Sequence, residues 1–309
     1  MGVGEFQEAM GCLLYRLGLL DAGRLVGGAQ ALVGSRKLGK FVYVPHGPLL
    51  CQGLGGQFVP ILESLKRVAR EEKADYLRVE PMWERGDARE ELLCQAGFRP
   101  ALVPSQAGGT TLLLDLRRSE DELLMGMRKT TRYLVKKARE MGVVVERTKD
   151  LEELEAFHQL MEETKRRQRF SPHSRRYHQL QFETLAPRGM GELYLAKYEG
   201  NVLAVAVIIS YGDTASYLLG ASLRSEVPAS YLLQWEAIRQ AKESGRDLYD
   251  FWGIAPTDDP CHPWHGYSLF KKGFGGYPLS YTGAWDFPIT ARYWAVAAKE
   301  WWWKHHRHL

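Results

Sequence analysis

Alternating apolar and polar positions predict a β-hairpin in each half of the chain. The first is "LLYRLGLLDAGRLVGGAQALV" (13–33), which turns at "DAGR", and the second is "GELYLAKYEGNVLAVAVIIS" (191–210), which turns at "EGN". A helical period follows each hairpin, over 57–73 and 230–245, and a strand pattern comes next, over 75–81 and 247–254. Both halves therefore predict a hairpin, a helix and a strand in the same order.

The two halves also align with nearly constant spacing. Equivalent positions in the predicted turns, strands and Gly-Phe pairs are separated by 177, 172 and 176 residues. This agreement favours a duplication, with chance similarity between two α/β units as the alternative. A hairpin joined to a strand–helix–strand unit builds a mixed sheet with helices on its faces. We therefore predict an α/β protein with mixed α+β sheets, arranged as two tandem acetyltransferase-like domains of the GNAT type.

Composition narrows the class of protein. At 309 residues the chain is long enough for two domains, and 45% hydrophobic with 25% charged residues is typical of a soluble globular protein. The net charge of +4 is small for a dedicated nucleic-acid-binding protein, although basic residues cluster locally. The four cysteines are far apart without a CxxC pair, which argues against a disulfide framework or a structural zinc site.

Eight segments in order resemble one family. They are "GRLVGGAQALV", "VYVPHGPLL", "YLRVEPMW", "KTTRYLVKKAREMGV", "YLLGAS", "LYDFWGI", "LFKKGFGG" and "GAWDFPI", which together cover almost the whole chain. Each segment is short, but the ordered set resembles the Fem-type (FemABX) peptidoglycan bridge-forming aminoacyltransferases. The region 150–170 is too short for the coiled-coil arm of some members, so the chain resembles the compact form.

This resemblance implies two GNAT-like domains that use aminoacyl-tRNA and no cofactor. Such enzymes attach Gly, Ala or Ser to the side-chain amine of the stem peptide of a peptidoglycan precursor, either UDP-MurNAc-pentapeptide or lipid II. It implies an acceptor-binding first domain of residues 1–117 plus 283–309, and a second domain of residues 118–282 on the aminoacyl-tRNA side. The acceptor is expected mainly in the first domain and the cleft between the domains.

A Phe-Lys pair carries the predicted catalytic residue. By resemblance, Phe270 and Lys271 in "SLFKKGFGGYP" match the family's Phe-Lys pair, whose lysine lies near the acyl-tRNA end. An amine that attacks an ester needs stabilisation of the developing oxyanion, and an ammonium beside glycine backbone suits that task. Lys272 is predicted to be the outward neighbour on a strand or turn. The alternative is that both lysines are solvated turn residues.

Two further residues are predicted to line the substrate groove. Glu80 ends the strand "YLRVEP" and matches an acidic family residue near the acceptor amine, where it would take a proton or hold the amine's charge. Its alternative is a surface group at a strand end. Tyr217 in "SYLLGAS" is predicted to line the same groove, and a core tyrosine is its alternative.

Basic residues cluster in two regions. Apolar residues between Leu123 and Met141 recur with a helical period, and cations three or four residues apart lie on another face, namely Arg128, Arg132, Lys136 and Arg139. This stripe is predicted to contact tRNA phosphates or a substrate diphosphate, with a plainly solvated helix face as the alternative. Farther along, Tyr177 matches a family tyrosine of the acceptor site. Four residues before this tyrosine, relatives of the family have an arginine that binds the precursor's diphosphate, whereas this chain has His173. Either Arg175 or Arg176 supplies that positive charge here, or the acceptor differs.

Cofactor and metal motifs are missing from the sequence. The segment "LRSEVPAS" after "YLLGAS" lacks the Gly-rich turn that binds the pyrophosphate of acetyl-CoA. Neither "CHPWH" nor the histidines near the end supply a fourth metal ligand at a recognisable spacing. We therefore expect no cofactor and no metal.

The segment "ARYWAVAAKEWWWKHHRHL" (291–309) places tryptophans beside cations. This composition suits a membrane interface, and docking on the first domain is the alternative. There is no run of about 18 apolar residues and no basic region before an apolar stretch near Glu5 and Glu8. We expect a cytoplasmic protein, with the inner face of the membrane as a second location.

Two other functions remain open at this point. One is an acyl-CoA-dependent N-acyltransferase on the same fold. The other is a non-catalytic protein that binds RNA or a precursor through the basic helix. Transfer supported by acyl-CoA would indicate the first, and salt-sensitive binding without a product would indicate the second.

Overall fold

Two compact units make up the chain. The computed structural model describes residues 2–37, 39–51, 58–102, 109–168 and 173–306. The N-terminal unit comprises Gln7–Thr110 and Leu279–Leu309, and the central unit comprises Met1–Phe6 and Thr111–Pro278. A first helix, α1 (Gly2–Ala9), contains the division between residues 6 and 7.

The N-terminal unit is built on one mixed sheet. Its strands, in spatial order, are β1 (Leu13–Asp21), β2 (Arg24–Arg36), β3 (Gly39–Pro45), β5 (Tyr76–Glu80), β14 (Trp285–Pro288) and β6 (Arg99–Pro100), and β4 (Leu49–Leu50) pairs with β2. Its helices are α2 (Phe58–Glu71), α3 (Arg89–Gln95) and α10 (Arg292–His306). The apolar face of α2, with Ile61, Leu62 and Leu65, packs on Val42 and Leu77 of the sheet, because its apolar residues recur every three or four positions.

The central unit has a second mixed sheet with helices on both faces. Its strands, in spatial order, are β13 (Tyr277–Ser280), β7 (Thr110–Asp115), β12 (Leu248–Gly253), β11 (Thr214–Ser222), β10 (Asn201–Tyr211), β9 (Gly191–Tyr198) and β8 (Val144–Thr148). Its helices are α4 (Glu120–Gly126), α5 (Lys129–Glu140), α6 (Leu154–Gln168), α7 (Arg175–Leu185), α8 (Ala229–Glu243) and α9 (His265–Lys272).

Strand β10 shows how this sheet fills two cores. Its side chains alternate between the faces, so Ala204, Ala206 and Ile208 join the core beneath α5 and α8. Val205 and Val207 join the core beneath α6 and α7 on the opposite face. A strand buried on both faces reads as a continuous apolar run, as "VLAVAVII" does.

The predicted fold class is confirmed. The two hairpins are β1–β2 and β9–β10, the two helices are α2 and α8, and the strands that follow them are β5 and β12. In each sheet the strand after the helix, β5 or β12, pairs in parallel with an earlier strand, β3 or β11, and antiparallel with its other neighbour. Strand β14 pairs with β5 and β6 in the sheet of the N-terminal unit, and β7 pairs with β12 in the central sheet.

Two local predictions were wrong. The helix expected between Leu123 and Met141 is two helices, α4 and α5, because Met127 turns inward with extended backbone and the N–H of Arg128 donates to the Gly273 carbonyl at 2.9 Å. Lys271 and Lys272 lie on helix α9 and not on a strand or turn. None of the helices in the described ranges is both long and apolar enough to cross a bilayer.

Candidate active site

The central sheet opens between β11 and β12. The two strands pair only from Thr214↔Leu248 to Ser216↔Asp250, although β11 continues to Ser222 and β12 to Gly253. An irregularity in β11 accompanies the opening, since Leu219 and Tyr217 oppose adjacent residues of β10. Beyond Ser216 the two parallel strands are therefore not paired with each other. Such an opening is the place where α/β sheets bind ligands.

A strained turn of backbone lies on the β12 side of this opening. Trp252 has φ of +65°, a conformation that bulky side chains rarely adopt. The Asp250 carboxylate accepts hydrogen bonds from the Trp252 N–H at 2.7 Å and from the Thr111 hydroxyl of neighbouring β7. The register of β12 against β7 shifts between Asp250 and Gly253, and Asp250 stabilises this irregular backbone, which sets the direction of the Gly253 carbonyl.

Lys271 reaches this carbonyl from α9. Helix α9 turns two polar side chains inward, Ser268 and Lys271. The Ser268 hydroxyl accepts from the Ala255 N–H at 2.8 Å, and the Lys271 ammonium donates to the Gly253 carbonyl at 2.7 Å. These two bonds attach α9 to the segment that leaves β12. Lys271 is fully buried, with 0% of its surface exposed.

Aromatic rings form the rest of the ammonium's surroundings. The Lys271 Nζ lies 3.9 Å from the ring centre of Tyr267 and 5.8 Å from that of Tyr217. Within the described parts of the chain, Lys271 makes no ion pair. Tyr267 is itself 41% exposed, so one aromatic side chain connects the buried ammonium to the surface.

Burial tunes the acidity of this lysine. Removal from water disfavours the charged form and lowers the pKa of Lys271 to about 7, while the negative charge of Asp250 acts in the opposite direction. Burial likewise raises the pKa of Tyr217, so its hydroxyl stays neutral. The ammonium has three N–H donors and one bonded carbonyl, which leaves donors for an oxygen placed in the opening.

The neighbours of Lys271 have different surroundings. Phe270 is half-buried and packs against Tyr231 and Phe274 at ring distances of 5.1 and 5.3 Å, so it contributes to the core. Lys272 points outward, as expected, and pairs with Asp258 at 2.5 Å. A side chain at Gly276 would clash with the Leu113 carbonyl, so the close approach of this glycine is to strand β7.

The residues predicted around the acceptor site lie at the start of α7. The ring of Tyr177 stacks on His173 at 4.0 Å and meets Phe6 edge-on at 4.9 Å. Arg175 is exposed and pairs with Glu155 at 2.9 Å, and Arg176 is exposed. Burial, helped by the charges of neighbouring histidines, lowers the pKa of nearby His178 to about 4. The positive charge at this end of α7 therefore comes from the arginines.

Glu80 lies in the N-terminal unit at the end of β5. It is buried, with 5% exposed, and its carboxylate accepts a hydrogen bond from the Tyr43 hydroxyl. Burial, together with the charge of this carboxylate, raises the pKa of Tyr43. A buried carboxylate at a strand end differs from the surface group considered as the alternative.

The cations of the predicted stripe, which are Arg128 just before α5 and three residues on that helix, are mostly engaged within the protein. The Arg132 guanidinium donates to the carbonyls of Met127 at 2.5 Å and Met125 at 3.0 Å, which satisfies the C-terminal end of α4. Arg139 pairs with Glu236 at 3.0 Å, and Arg128 donates to the Leu269 carbonyl at 3.5 Å. Lys136 is exposed and approaches Glu140 at 3.5 Å. Only part of the predicted stripe thus remains available to an anionic partner.

Sequence reasoning missed Asp250, Thr111 and Tyr267. A carboxylate inside the apolar strand "DLYDFWGI" was the available signal for Asp250, because a charge within a buried strand needs a partner. Thr111 and Tyr267 are far from it in sequence and carried no signal. Among the described residues, no group of three or more His, Cys, Asp or Glu side chains is placed to hold a metal ion.

Comparisons with known proteins agree with this architecture. A family model described as an acetyltransferase (GNAT) domain matches residues 125–260. The lipid II:glycine glycyltransferase of Staphylococcus aureus strain MRSA252 is 23% identical over 93% of this chain and 86% of that protein. The corresponding protein of strain USA300 is 24% identical over 74% and 72%.

Solved structures match the fold along nearly the whole chain. A crystal structure of FemX matches with a TM-score of 0.87 at 21% identity, covering 96% of this chain and 93% of that one. The C-terminal domain of a putative lysylphosphatidylglycerol synthetase from Agrobacterium fabrum matches with a TM-score of 0.62 at 11% identity, covering 98% and 92%.

The two mixed sheets and the opening in the central unit define a tandem GNAT-like protein. Within that class the chain shares the fold of FemX along nearly its whole length. The resemblance to FemABX-type proteins predicted from the sequence is thereby confirmed.

Proposed function

We propose that this protein is an aminoacyltransferase that moves an amino acid from aminoacyl-tRNA to the side-chain amine of a peptidoglycan precursor. The observation that carries the proposal is the buried Lys271 ammonium, which lies at the opening of β11 and β12 without an ion-pair partner in the described residues. The similarity to lipid II:glycine glycyltransferases supports the reaction class and the type of acceptor.

The proposed reaction is aminolysis of an ester. The acceptor amine attacks the ester carbonyl, a C–N bond forms, the bond to the terminal ribose oxygen of the tRNA breaks, and the amine's proton ends on that oxygen. The carbonyl oxygen becomes negative in the tetrahedral intermediate, and a preorganised cation in a dry site stabilises it without reorganisation. Lys271 supplies this cation, held in place by the Gly253 carbonyl and the Tyr267 ring. A pKa of about 7 keeps a substantial charged fraction at neutral pH, and negative charge on the substrate increases it.

Other predicted residues take supporting roles in the proposal. Glu80 holds or deprotonates the acceptor amine, and Tyr177 with Arg175 or Arg176 contacts the precursor. Lys136 and Arg128 contribute phosphate contacts for the tRNA. A lipid-linked precursor is favoured as acceptor, since the similar proteins are lipid II:glycine glycyltransferases.

The test is a transfer assay with mixed charged tRNAs and a panel of soluble and lipid-linked precursors, read by mass gain of the acceptor. We expect Lys271→Met to lose about a hundredfold to a thousandfold in turnover, the range for removal of one oxyanion-hole donor. Lys272→Met is the matched control, because Lys272 is the next residue and pairs outward with Asp258. Equal turnover of the two variants would remove Lys271 from the mechanism, and no mass gain with any pair would contradict the proposed reaction.

The match to the GNAT family model favours one second candidate, an acyl-CoA-dependent N-acyltransferase. The same assay with acetyl-CoA in place of charged tRNA distinguishes the two donors. Transfer from acetyl-CoA alone would indicate this second function. Ribonuclease treatment of the charged tRNA should abolish transfer if the first proposal is correct.

A further inference from the structure

Helix α10 has an aromatic outer face. One side of the helix is buried against the N-terminal unit, where Tyr293 and Val296 pack with Tyr76. Other positions expose three tryptophans, which we call the indole face: Trp294, Trp301 and Trp302, exposed by 53%, 51% and 51%. Large apolar side chains exposed together on one element indicate an interaction surface.

The spacing of these residues makes the helix amphipathic. Trp294 and Trp301 are seven residues apart, which is about two turns, so they lie on the same flank, with Trp302 farther toward solvent. Arg292 and Lys299 are also seven apart and lie exposed on the other flank. The Arg99 guanidinium adds a third cation, 4.7 Å from the ring of Trp294.

The charge of the exposed face has one sign. Glu300 is the one acidic residue in the sequence of α10, and it turns inward to pair with Arg78 at 3.0 Å. The Arg78 guanidinium also pairs with Asp286 at 2.6 Å, so Glu300 belongs to an ion-pair cluster inside the unit and does not face solvent with the tryptophans. Positive charge and indole rings therefore face outward with no acidic side chain of α10 among them.

We propose that the indole face of α10 docks on an anionic phospholipid surface. Indole rings favour the headgroup level of a bilayer, and cations beside them are attracted to anionic lipids. A helix of this kind lies in the plane of the interface and does not cross the membrane. The proposal concerns binding alone and does not depend on the reaction proposed above, although a lipid-linked acceptor would lie in the same surface.

Vesicle sedimentation tests the indole face. The full chain is mixed with vesicles of phosphatidylcholine, with or without phosphatidylglycerol, and the bound fraction is measured. We expect binding to the anionic vesicles, weakened roughly tenfold for each indole lost in Trp301→Ser and Trp302→Ser, since each ring buries apolar area in the interface. Tyr211→Ser is the matched control, because Tyr211 is an aromatic residue exposed by 73% on the central unit, and we expect it to bind as the wild type does.

The cations and the depth of the rings are tested separately. Arg292→Gln and Lys299→Gln should each weaken binding to anionic vesicles by roughly fivefold and leave weak binding to neutral vesicles unchanged. Vesicles of brominated lipid should quench the tryptophan emission of the wild-type protein, a measurement that needs no variant. Absence of wild-type binding to anionic vesicles, absence of quenching, or unchanged binding of the folded Trp301→Ser/Trp302→Ser variant would overturn the proposal.

Discussion

Replacing Lys271 by Met should make the protein more resistant to unfolding near neutral pH while it removes activity. The side chain is fully buried, and its ammonium has one carbonyl acceptor and two aromatic rings in place of water. Methionine has a similar length and fills irregular apolar space without a charge. A gain in stability together with a loss of function is typical of residues kept for chemistry.

The magnitude follows from the pKa of Lys271, which burial lowers from 10.5 to about 7. This difference corresponds to about 5 kcal/mol between the charged and neutral forms in the folded protein. Below pH 7 both the folded and unfolded states carry the proton, so the full penalty applies. Between pH 7 and 10.5 only the unfolded state keeps the proton, and the free energy of unfolding rises with pH. From pH 7 to pH 9 this one group should add about 2 kcal/mol of stability.

Urea unfolding of wild type, Lys271→Met and Lys272→Met at several pH values between 7 and 9 measures this effect. The quantity to compare is the slope of unfolding free energy against pH, since other titrating groups contribute equally to all three proteins. The absolute gain in Lys271→Met is reduced because the Gly253 carbonyl loses its donor, at a cost of about 1–3 kcal/mol. Parallel pH curves for wild type and Lys271→Met would refute the reasoning that a buried, largely uncompensated cation occupies this site.

Two other predictions concern residues that hold the site and its surroundings. Asp250→Ala should lose about 1–3 kcal/mol of stability, because the Trp252 N–H loses its acceptor. It should also lower turnover more than Asp250→Asn, which keeps an acceptor oxygen. Thermal melting measures the stability and the transfer assay measures the turnover, and equal turnover of the two variants would contradict a positioning role. Arg132→Met should destabilise the protein by about 1–2 kcal/mol, because contacts at the end of α4 are lost. Lys136→Gln should instead leave the melting temperature unchanged and weaken tRNA binding. Thermal melting and filter binding measure the two effects, and the reverse pattern would exclude a structural role for Arg132 and a tRNA-binding role for Lys136.

The order of the regular elements was predictable because it depends on local periodicity. Period-two alternation identified both hairpins, and the 3.6 period identified α2 and α8, since each pattern needs only a few neighbouring residues. The same method failed at Met127, where the helical period continues but the backbone does not. There the tertiary contact with Gly273 outweighs local preference.

The candidate site was predictable only in part. The resemblance of the Phe270–Lys271 pair indicated Lys271 as the catalytic residue, with a solvated turn as the alternative, and the fold places Lys271 on a helix with its ammonium buried. Lys271 and Lys272 are adjacent and chemically identical in sequence, but neighbouring residues of a helix are rotated by about 100°, so one side chain points inward to Gly253 and the other outward to Asp258.

Sequence by itself determined the repeated α/β order and the position of a lysine-bearing segment after the second parallel strand. Tertiary structure alone decided where the central sheet opens and which carbonyl meets the ammonium. It also decided that Thr111, distant along the chain, joins Asp250 in fixing that backbone. The physical reason is that periodicity reports which face of an element is buried. Burial of a charge and its pKa depend on groups brought together from distant parts of the chain.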